Sequence, residues 1–431
     1  MIQRFKLRIA RVEDADGIAD LLNSSFSTFS EFGLTGRKWL QYRKIQPGFA
    51  LKGACVATLG GKIVGHVQIV WRSVRTSEYS TMKIGGIANV CTLPEYRGKG
   101  VATALLNKAH EIMEKNGVAI AGLLSEPCGA TTGLYKKIGY DTIALLTVSV
   151  GRLDRVIESL SDMPMAPNLR TRNYEEGDER RLLRIYAKET RNLAGSVKRD
   201  ARYWRIRYKQ VFSYNGFFFK KFDAENIIVL EGSKRISGYS FNIILGGVGY
   251  ITELLAQKPY CENAKALLSS SLKYFASRNV RSLSLFCPKG TAITKCLKSL
   301  LGNELVENHV EAYMLKILSP QRTLEAIRDE LRARSLVQPR LDIILELTLD
   351  GKSTFLSIRG EKVEIEDKIP GQRKVTKISI TEQGFVGLIF GVSSIRNLRS
   401  QGHICCSTDE LHLLSKLFPR KTCCLFPGDL W

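Results

Sequence analysis

The residues of this sequence best suited to chemistry are Pro94-Glu95-Tyr96-Arg97-Gly98-Lys99-Gly100. They follow a strand-like run, Lys83 to Thr92, and precede a helical stripe of Val101, Leu105, Leu106, Ala109, Ile112 and Met113. A strand, a glycine-rich turn and a helix in that order make an anion site, because successive backbone N–H groups and the positive end of the helix dipole share one concavity. Gly98 and Gly100 let the backbone come close to phosphate oxygens. A dinucleotide fold would need G-x-G-x-x-G with an acidic residue about 20 positions on, and a nucleotide-hydrolysing loop G-x-x-x-x-G-K-[ST]. Neither pattern is present. Glu126, at the end of a further strand Val118 to Leu124, is a generic candidate base. His403, Cys405, His412 and Cys423 could be assembled into a zinc set, but no C-x-x-C spacing supports one.

The elements that must position this turn follow from periodicity. A strand at Lys6 to Ala10 and a helix carrying Ile18, Leu21 and Leu22 come first. Ala54 to Leu59 and Ile63 to Val70 form a hairpin around Gly60-Gly61. The helix after the turn stops at Asn116-Gly117, and a short helix, Gly133 to Ile138, precedes Gly139-Tyr140. The same order recurs about 150 residues later, with Glu179 to Glu189, the hairpin Ile227 to Glu231 and Ile236 to Leu245, and the strand Tyr250 to Leu255 leading to a helix over Asn263 to Ser277. Arg281 to Cys287, Thr291 to Leu300 and Ala312 to Leu318 continue the pattern. This second copy has Gln257-Lys258-Pro259-Tyr260-Cys261-Glu262 where the first has its glycine turn. Past Ser319-Pro320 the order changes to a helix, Thr323 to Arg332, then strands Leu341 to Leu349, Ser353 to Arg359 and Val375 to Ser379, the segment Gln383 to Phe390, and two short helices. The expected class is mixed α/β, or α+β, in three domains at 1–150, 151–318 and 319–431.

The stretch Val90 to Gly100, followed by its long helix and by Gly133-Leu134-Tyr135-Lys136-Lys137-Ile138-Gly139-Tyr140, closely resembles the acyl-CoA site of the GNAT superfamily. The family pattern [QR]-x-x-G-x-[GA] is met by Arg97, Gly100 and Ala102. The resemblance implies that the N–H groups of Gly98, Lys99, Gly100, Val101, Ala102 and Thr103 cradle the pyrophosphate of acetyl-CoA. Val90, Cys91 and Thr92 would pair with its pantetheine arm as a pseudo-strand. It also implies that Tyr135 is the general acid, a phenol with an ordinary pKa of about 10, close enough to a thiol's to protonate a departing thiolate. Tyr140 reads as structural. Across the chain, tandem GNAT folds followed by a sterol carrier protein-like domain resemble the enhanced intracellular survival (Eis) acetyltransferases. That family's C-terminal carboxylate acts as the base, which here would be the carboxylate of Trp431. The acceptor implied is a primary amine on a small molecule or a protein Lys, and the assembly implied is a hexamer.

Composition bears on partners and compartment. Lys plus Arg number 64 against 42 Asp plus Glu, a net charge of +22 whose excess is largest in the middle third. This basicity keeps open a competing reading, a catalytically weak acyl-CoA-binding scaffold or a nucleic-acid-binding protein. Its best docking element would be Lys198 to Lys209, a stretch of basic residues interleaved with Tyr203, Trp204 and Tyr208, although a solvated helix with its aromatics packed inward explains it more simply. No run of about 18 apolar residues suggests a membrane span, and no signal peptide is seen, so a cytoplasmic chain with its ten cysteines reduced is expected.

Overall fold

The computed structural model describes residues 5–161, 166, 168–206, 224–232, 235–337, 341–349, 351–368 and 374–430. They form two compact units. The first comprises 1–144 and 313–421, the second 145–312 and 422–430.

The first unit opens with β1 (Lys6–Ile9), α1 (Ala15–Ser25), α2 (Ser27–Phe32) and α3 (Gly36–Ile45). Three long strands follow, β2 (Phe49–Leu59), β3 (Lys62–Arg75) and β4 (Thr81–Thr92), then α4 (Val101–Lys115), β5 (Ile120–Ser125), α5 (Ala130–Lys137) and the start of β6 (Asp141–Arg152). Strands β1 to β4 are antiparallel neighbours in sequence order, and β5 joins β4 in parallel. Gly60 and Gly61, at φ 55 and 82, supply the left-handed pair that a two-residue hairpin needs. Helix α4 lies close on the sheet because two positions lack side chains. A Cβ at Gly65 would sit 2.7 Å from Val101, and one at Gly85 2.6 Å from Met113.

The second unit runs from the 145–152 part of β6 through α6 (Leu153–Ser161), β7 (Arg170–Asn173), α7 (Glu179–Glu189), β8 (Leu193–Ala194) and α8 (Ala201–Trp204). It continues with β9 (Ile227–Gly232), β10 (Arg235–Leu245), β11 (Val248–Ala256), α9 (Tyr260–Ala276), β12 (Ser282–Phe286), α10 (Ala292–Leu301) and the first part of β13 (Val306–Ile317). Its core is α9 pressed between sheet and helices, with Leu267, Leu268, Leu272 and Phe275 buried among Leu230, Ile251, Leu283, Leu297 and Val156. β6 does not close the unit in which it starts: its residues 148 to 152 pair antiparallel with β12, from Phe286↔Val148 to Ser282↔Arg152. In the first unit the strand beside β5 is β13, whose continuation donates Leu318 N–H to the Ala119 carbonyl at 2.8 Å.

Back in the first unit come α11 (Pro320–Ala326), α12 (Arg328–Leu336), β14 (Asp342–Leu349), β15 (Lys352–Arg359), β16 (Lys362–Glu366), β17 (Val375–Ile380), α13 (Glu382–Phe390), α14 (Ile395–Ser400), β18 (Ile404–Cys405) and α15 (Thr408–Leu417). The sheet order is β16-β15-β14-β17-β18, with β14 and β17 parallel. The single helix expected over Thr323 to Arg332 is two, broken at Ile327. Glu330 on the second of them is wholly buried, accepts from the Thr76 hydroxyl at 3.1 Å and pairs with Arg334 and Lys421. The chain then returns to the second unit with β19 (Thr422–Cys423), parallel to β8.

The expectation of reduced thiols throughout is corrected here. Cys261 on α9 and Cys296 on α10 are joined by a disulfide, their Cα atoms 5.1 Å apart and so within bridging range. A separation of 35 residues gives no sequence cue to that pairing. Among the described residues no helix is long and apolar enough to cross a membrane.

Candidate active site

The site is built where β4 parts from β5. Their parallel pairing runs from Ile84↔Ile120 to Ile87↔Leu123 and stops there among the described residues, while β4 stays paired with β3 as far as Gly65↔Thr92. From Ala88 to Thr92 one edge of β4 therefore has no strand beside it. Backbone polar groups on such an edge demand a partner, and an extended ligand supplies one. Val90 is half-buried, whereas Cys91 and Thr92 are buried. Burial pushes the Cys91 thiol up to about 12, which removes it as a nucleophile.

This open edge leads into the glycine turn. Gly98 and Gly100 have φ 72 and 80, the left-handed conformation that favours glycine, and an added Cβ at either would meet nothing within 4 Å. The space above the turn is therefore open. Gly100 is the N-cap of α4 and, having no side chain, leaves the first-turn N–H groups of Val101, Ala102 and Thr103 without a cap. Arg97 donates through Nε to the Thr92 carbonyl at 3.2 Å, which ties the turn to the end of the strand. The Lys99 ammonium stands 5.2 Å from the Tyr96 ring centroid. An uncapped helix N-terminus with two cationic side chains beside it is made for a polyanion.

Tyr135 lies on α5, is 5 % exposed, and burial pushes its phenol up to about 12, so it holds its proton at any working pH. The Tyr140 ring meets it edge-on at 6.0 Å. Tyr140 itself is fixed by His110 of α4, whose Nε2 shares a 2.8 Å hydrogen bond with the Tyr140 hydroxyl. Sequence reasoning missed His110; a histidine beside Ala109 on an apolar stripe was its only signal. Gly139 is required for packing: at φ 90 an added Cβ would run into the Lys316 and Glu382 ion pair that passes over it. Glu126 is exposed, and its carbonyl accepts from the Thr132 hydroxyl at the start of α5.

Trp431 lies outside the described residues. The residues before it are fixed in the second unit. Asp429 has no exposure and accepts from Arg199 Nε at 2.9 Å, Arg199 Nη2 at 2.8 Å, the Tyr203 hydroxyl at 2.7 Å and the Tyr186 hydroxyl at 3.2 Å. Arg199 also grips Glu253 through two bonds of 3.0 and 2.8 Å. Burial pushes the Glu253 carboxyl up, against the pull of that guanidinium. Arg199, which the sequence offered either to a docking surface or, more simply, to a solvated helix face, is thus buried and committed, and Tyr203 and Trp204 pack inward as the simpler reading expected. Tyr208 lies outside the described residues. The zinc set does not come together: among the described residues no three His, Cys, Asp or Glu groups are placed to hold a metal.

Residues 6–143 match the model of the acetyltransferase (GNAT) domain family. That segment is a GNAT acetyltransferase domain. Domains of this family move an acyl group from acyl-CoA to an acceptor, and the open strand edge and glycine turn are the parts of this GNAT domain suited to such a donor. An uncharacterized N-acetyltransferase of Methanocaldococcus jannaschii is 26% identical over 149 residues, which is 33% of this chain and 62% of the relative, under two thirds of its length. Three solved structures share the fold over 99% of the chain. A GCN5-related N-acetyltransferase of Anabaena variabilis has TM-score 0.72 at 16% identity, covered over its full length. A probable N-acyltransferase of Enterococcus faecalis has TM-score 0.74 at 14%, and Eis1 of Mycobacterium abscessus 0.61 at 13%, each likewise covered in full. At these identities the likeness speaks for the fold alone.

Proposed function

We propose that the protein is an acetyl-CoA-dependent N-acetyltransferase that passes the acetyl group directly to a primary amine, on a small molecule or a protein Lys. The observation that carries this reading is the unpaired edge of β4 running into an uncapped helix N-terminus through two left-handed glycines. Acetyl-CoA supplies the activated acyl group. The N–H groups from Gly98 to Thr103 hold its pyrophosphate, and Val90 to Thr92 align the pantetheine arm. The amine nitrogen forms its bond to the acyl carbon as the carbon–sulfur bond breaks. Tyr135, which burial keeps protonated, gives its proton to the leaving thiolate, although the rise to about 12 makes it a weaker acid than an ordinary phenol. The proton lost by the amine goes, by family resemblance, through water to the Trp431 carboxylate. We further infer that the second unit is a GNAT-like repeat without a phosphate turn and that 319–431 forms a sterol carrier protein-like domain. The test is thiol release from acetyl-CoA with a panel of amines. Wild-type protein that releases no thiol with any amine overturns the reading.

A further inference from the structure

Strand β4 leaves β5 at a bulge. In its register with β3, Gln68 faces Ala88 and His66 faces Cys91, so Val67 stands opposite both Asn89 and Val90. Side chains alternate along a strand, so the extra residue puts Ala88 and Cys91 on one face although three positions separate them. It also decides which backbone groups beyond it turn toward the free edge. Asn89 carries the bulge at φ 54, one of two non-glycine residues with positive φ among those described. A side chain in that region costs on the order of 1 kcal/mol, least for Asn and Asp.

The side chain that holds this conformation is His66. It has no exposure, and its Nδ1 lies 3.2 Å from the Asn89 carbonyl oxygen. A carbonyl can only accept, so Nδ1 carries the proton and Nε2 keeps a bare lone pair, which has no partner among the described residues. Burial pushes the imidazole down to about 4, and the ring is neutral across the working range. Trp39 of α3 closes over it edge-on, with ring centroids 6.0 Å apart. Among the described residues, the one hydrogen bond of the imidazole goes to the bulge.

We propose that His66 is a positioning residue for acyl-CoA: by holding the Asn89 carbonyl it fixes the bulge of β4 and thereby the direction of the free edge from Val90 to Thr92. The inference rests on reading that edge as the pantetheine site. It separates two ends of one ligand. The phosphates sit at the glycine turn, whose backbone His66 does not touch, whereas the pantetheine and acyl group lie along the edge that His66 sets.

The test uses the full chain and two probes by calorimetry, acetyl-CoA and 3′,5′-ADP, the second carrying phosphates without the arm. His66→Leu keeps bulk and removes the donor; His66→Asn puts an amide N–H near the place of Nδ1. One neutral hydrogen bond predicts that H66L weakens acetyl-CoA binding by about five- to tenfold and leaves 3′,5′-ADP within about twofold, with H66N recovering most of the loss. Equal weakening of both probes, or of neither, overturns the inference. Should H66L be too unstable to titrate, His66→Met, which also removes the donor, decides in its place: a loss confined to acetyl-CoA supports the lock, and equal loss of both probes or of neither overturns it. A wild type that binds neither probe overturns the cofactor reading itself, a result distinct from failure of the lock.

Discussion

The corner after β4 and the corner after β11 are built alike and filled differently. Strand β11 pairs in parallel with β12 from Val248↔Ser282 to Ile251↔Leu285 and then leaves it, as β4 leaves β5. It too is bulged at the point of departure, between Phe241↔Glu253 and Asn242↔Ile251. In the first unit the edge beyond the bulge is open and ends in glycines. In the second, Pro259 replaces the glycine turn at the cap of α9, and Glu253 on the departing edge is bonded to Arg199, which binds Asp429 of the C-terminal segment. Phe426 of the same segment packs against Phe286 at the end of β12 and Tyr186 of α7. One corner exposes its backbone to an incoming ligand, while the other has been supplied with an occupant from its own chain. The same strand departure thus occurs with a glycine turn and an open edge in one unit, and with a proline cap and a packed C-terminal segment in the other.

This contrast can be broken experimentally. The largest effect is expected at the filled corner. Arg199→Met leaves two buried carboxylates without their cation, and loss of one partner of such a network costs about 3–5 kcal/mol. Thermal unfolding should shift strongly while acetyl-CoA affinity of the folded protein stays near wild type; a large loss of affinity with unchanged stability would contradict a structural role. Next comes acid, which acts on the first unit. His66 and His110 are both pushed by burial to about 4, below the ordinary 6.5. Their folded forms are neutral, so the stability they contribute is present above pH 6.5 and is lost as pH falls toward 4. By pH 5 the loss is on the order of 2 kcal/mol for each. Denaturant titrations from pH 7 to 5 should show it, and a histidine-to-glutamine pair should flatten the slope.

At the open corner, Gly100→Val forces a β-branched residue to φ 80 and shadows the helix N-terminus. The free turn can relieve this strain by leaving the left-handed conformation, with little change in melting temperature, and acetyl-CoA must then restore it at a cost of about 1–3 kcal/mol, roughly a 10- to 100-fold loss of affinity read by calorimetry. Lys258→Val, at the corresponding turn after β11, should leave that affinity unchanged. The smallest effect is expected behind Tyr135. Tyr140→Phe removes one buried hydrogen bond to His110 and should cost about 1 kcal/mol in stability.

The open corner was legible in the sequence because its determinants are local: glycines at fixed spacing after an apolar strand and before an amphipathic helix. Element order was legible for the same reason, and α7 lies at Glu179–Glu189 as its periodicity predicts. What stayed hidden depends on partners distant in sequence. Helices α2 and α3 lack a clean apolar stripe, and α6 escaped notice beside a strong strand pattern. Nothing local tells β6 to pair with β12 or Cys261 to meet Cys296. Arg199 looks like any surface cation until Asp429, 230 positions away, closes on it. His66 and Gln68 did leave a trace, as polar residues at inward positions of an otherwise apolar strand, and that is where the bulge is anchored.

The division of the chain has a consequence for how the protein is made and dissected. The first unit needs 1–144 together with 313–421, and the second needs 145–312 together with 422–430. No contiguous fragment contains either one without a large part of the other. During synthesis the first unit waits for a segment that begins only after 168 intervening residues, and the second stays unfinished until Asp429 arrives to meet an arginine made 230 residues earlier. A truncated chain ending near residue 312 or 421 would leave Arg199 and Glu253 with an unmet carboxylate site, so cloning by apparent domain boundary is the least promising way to study either half.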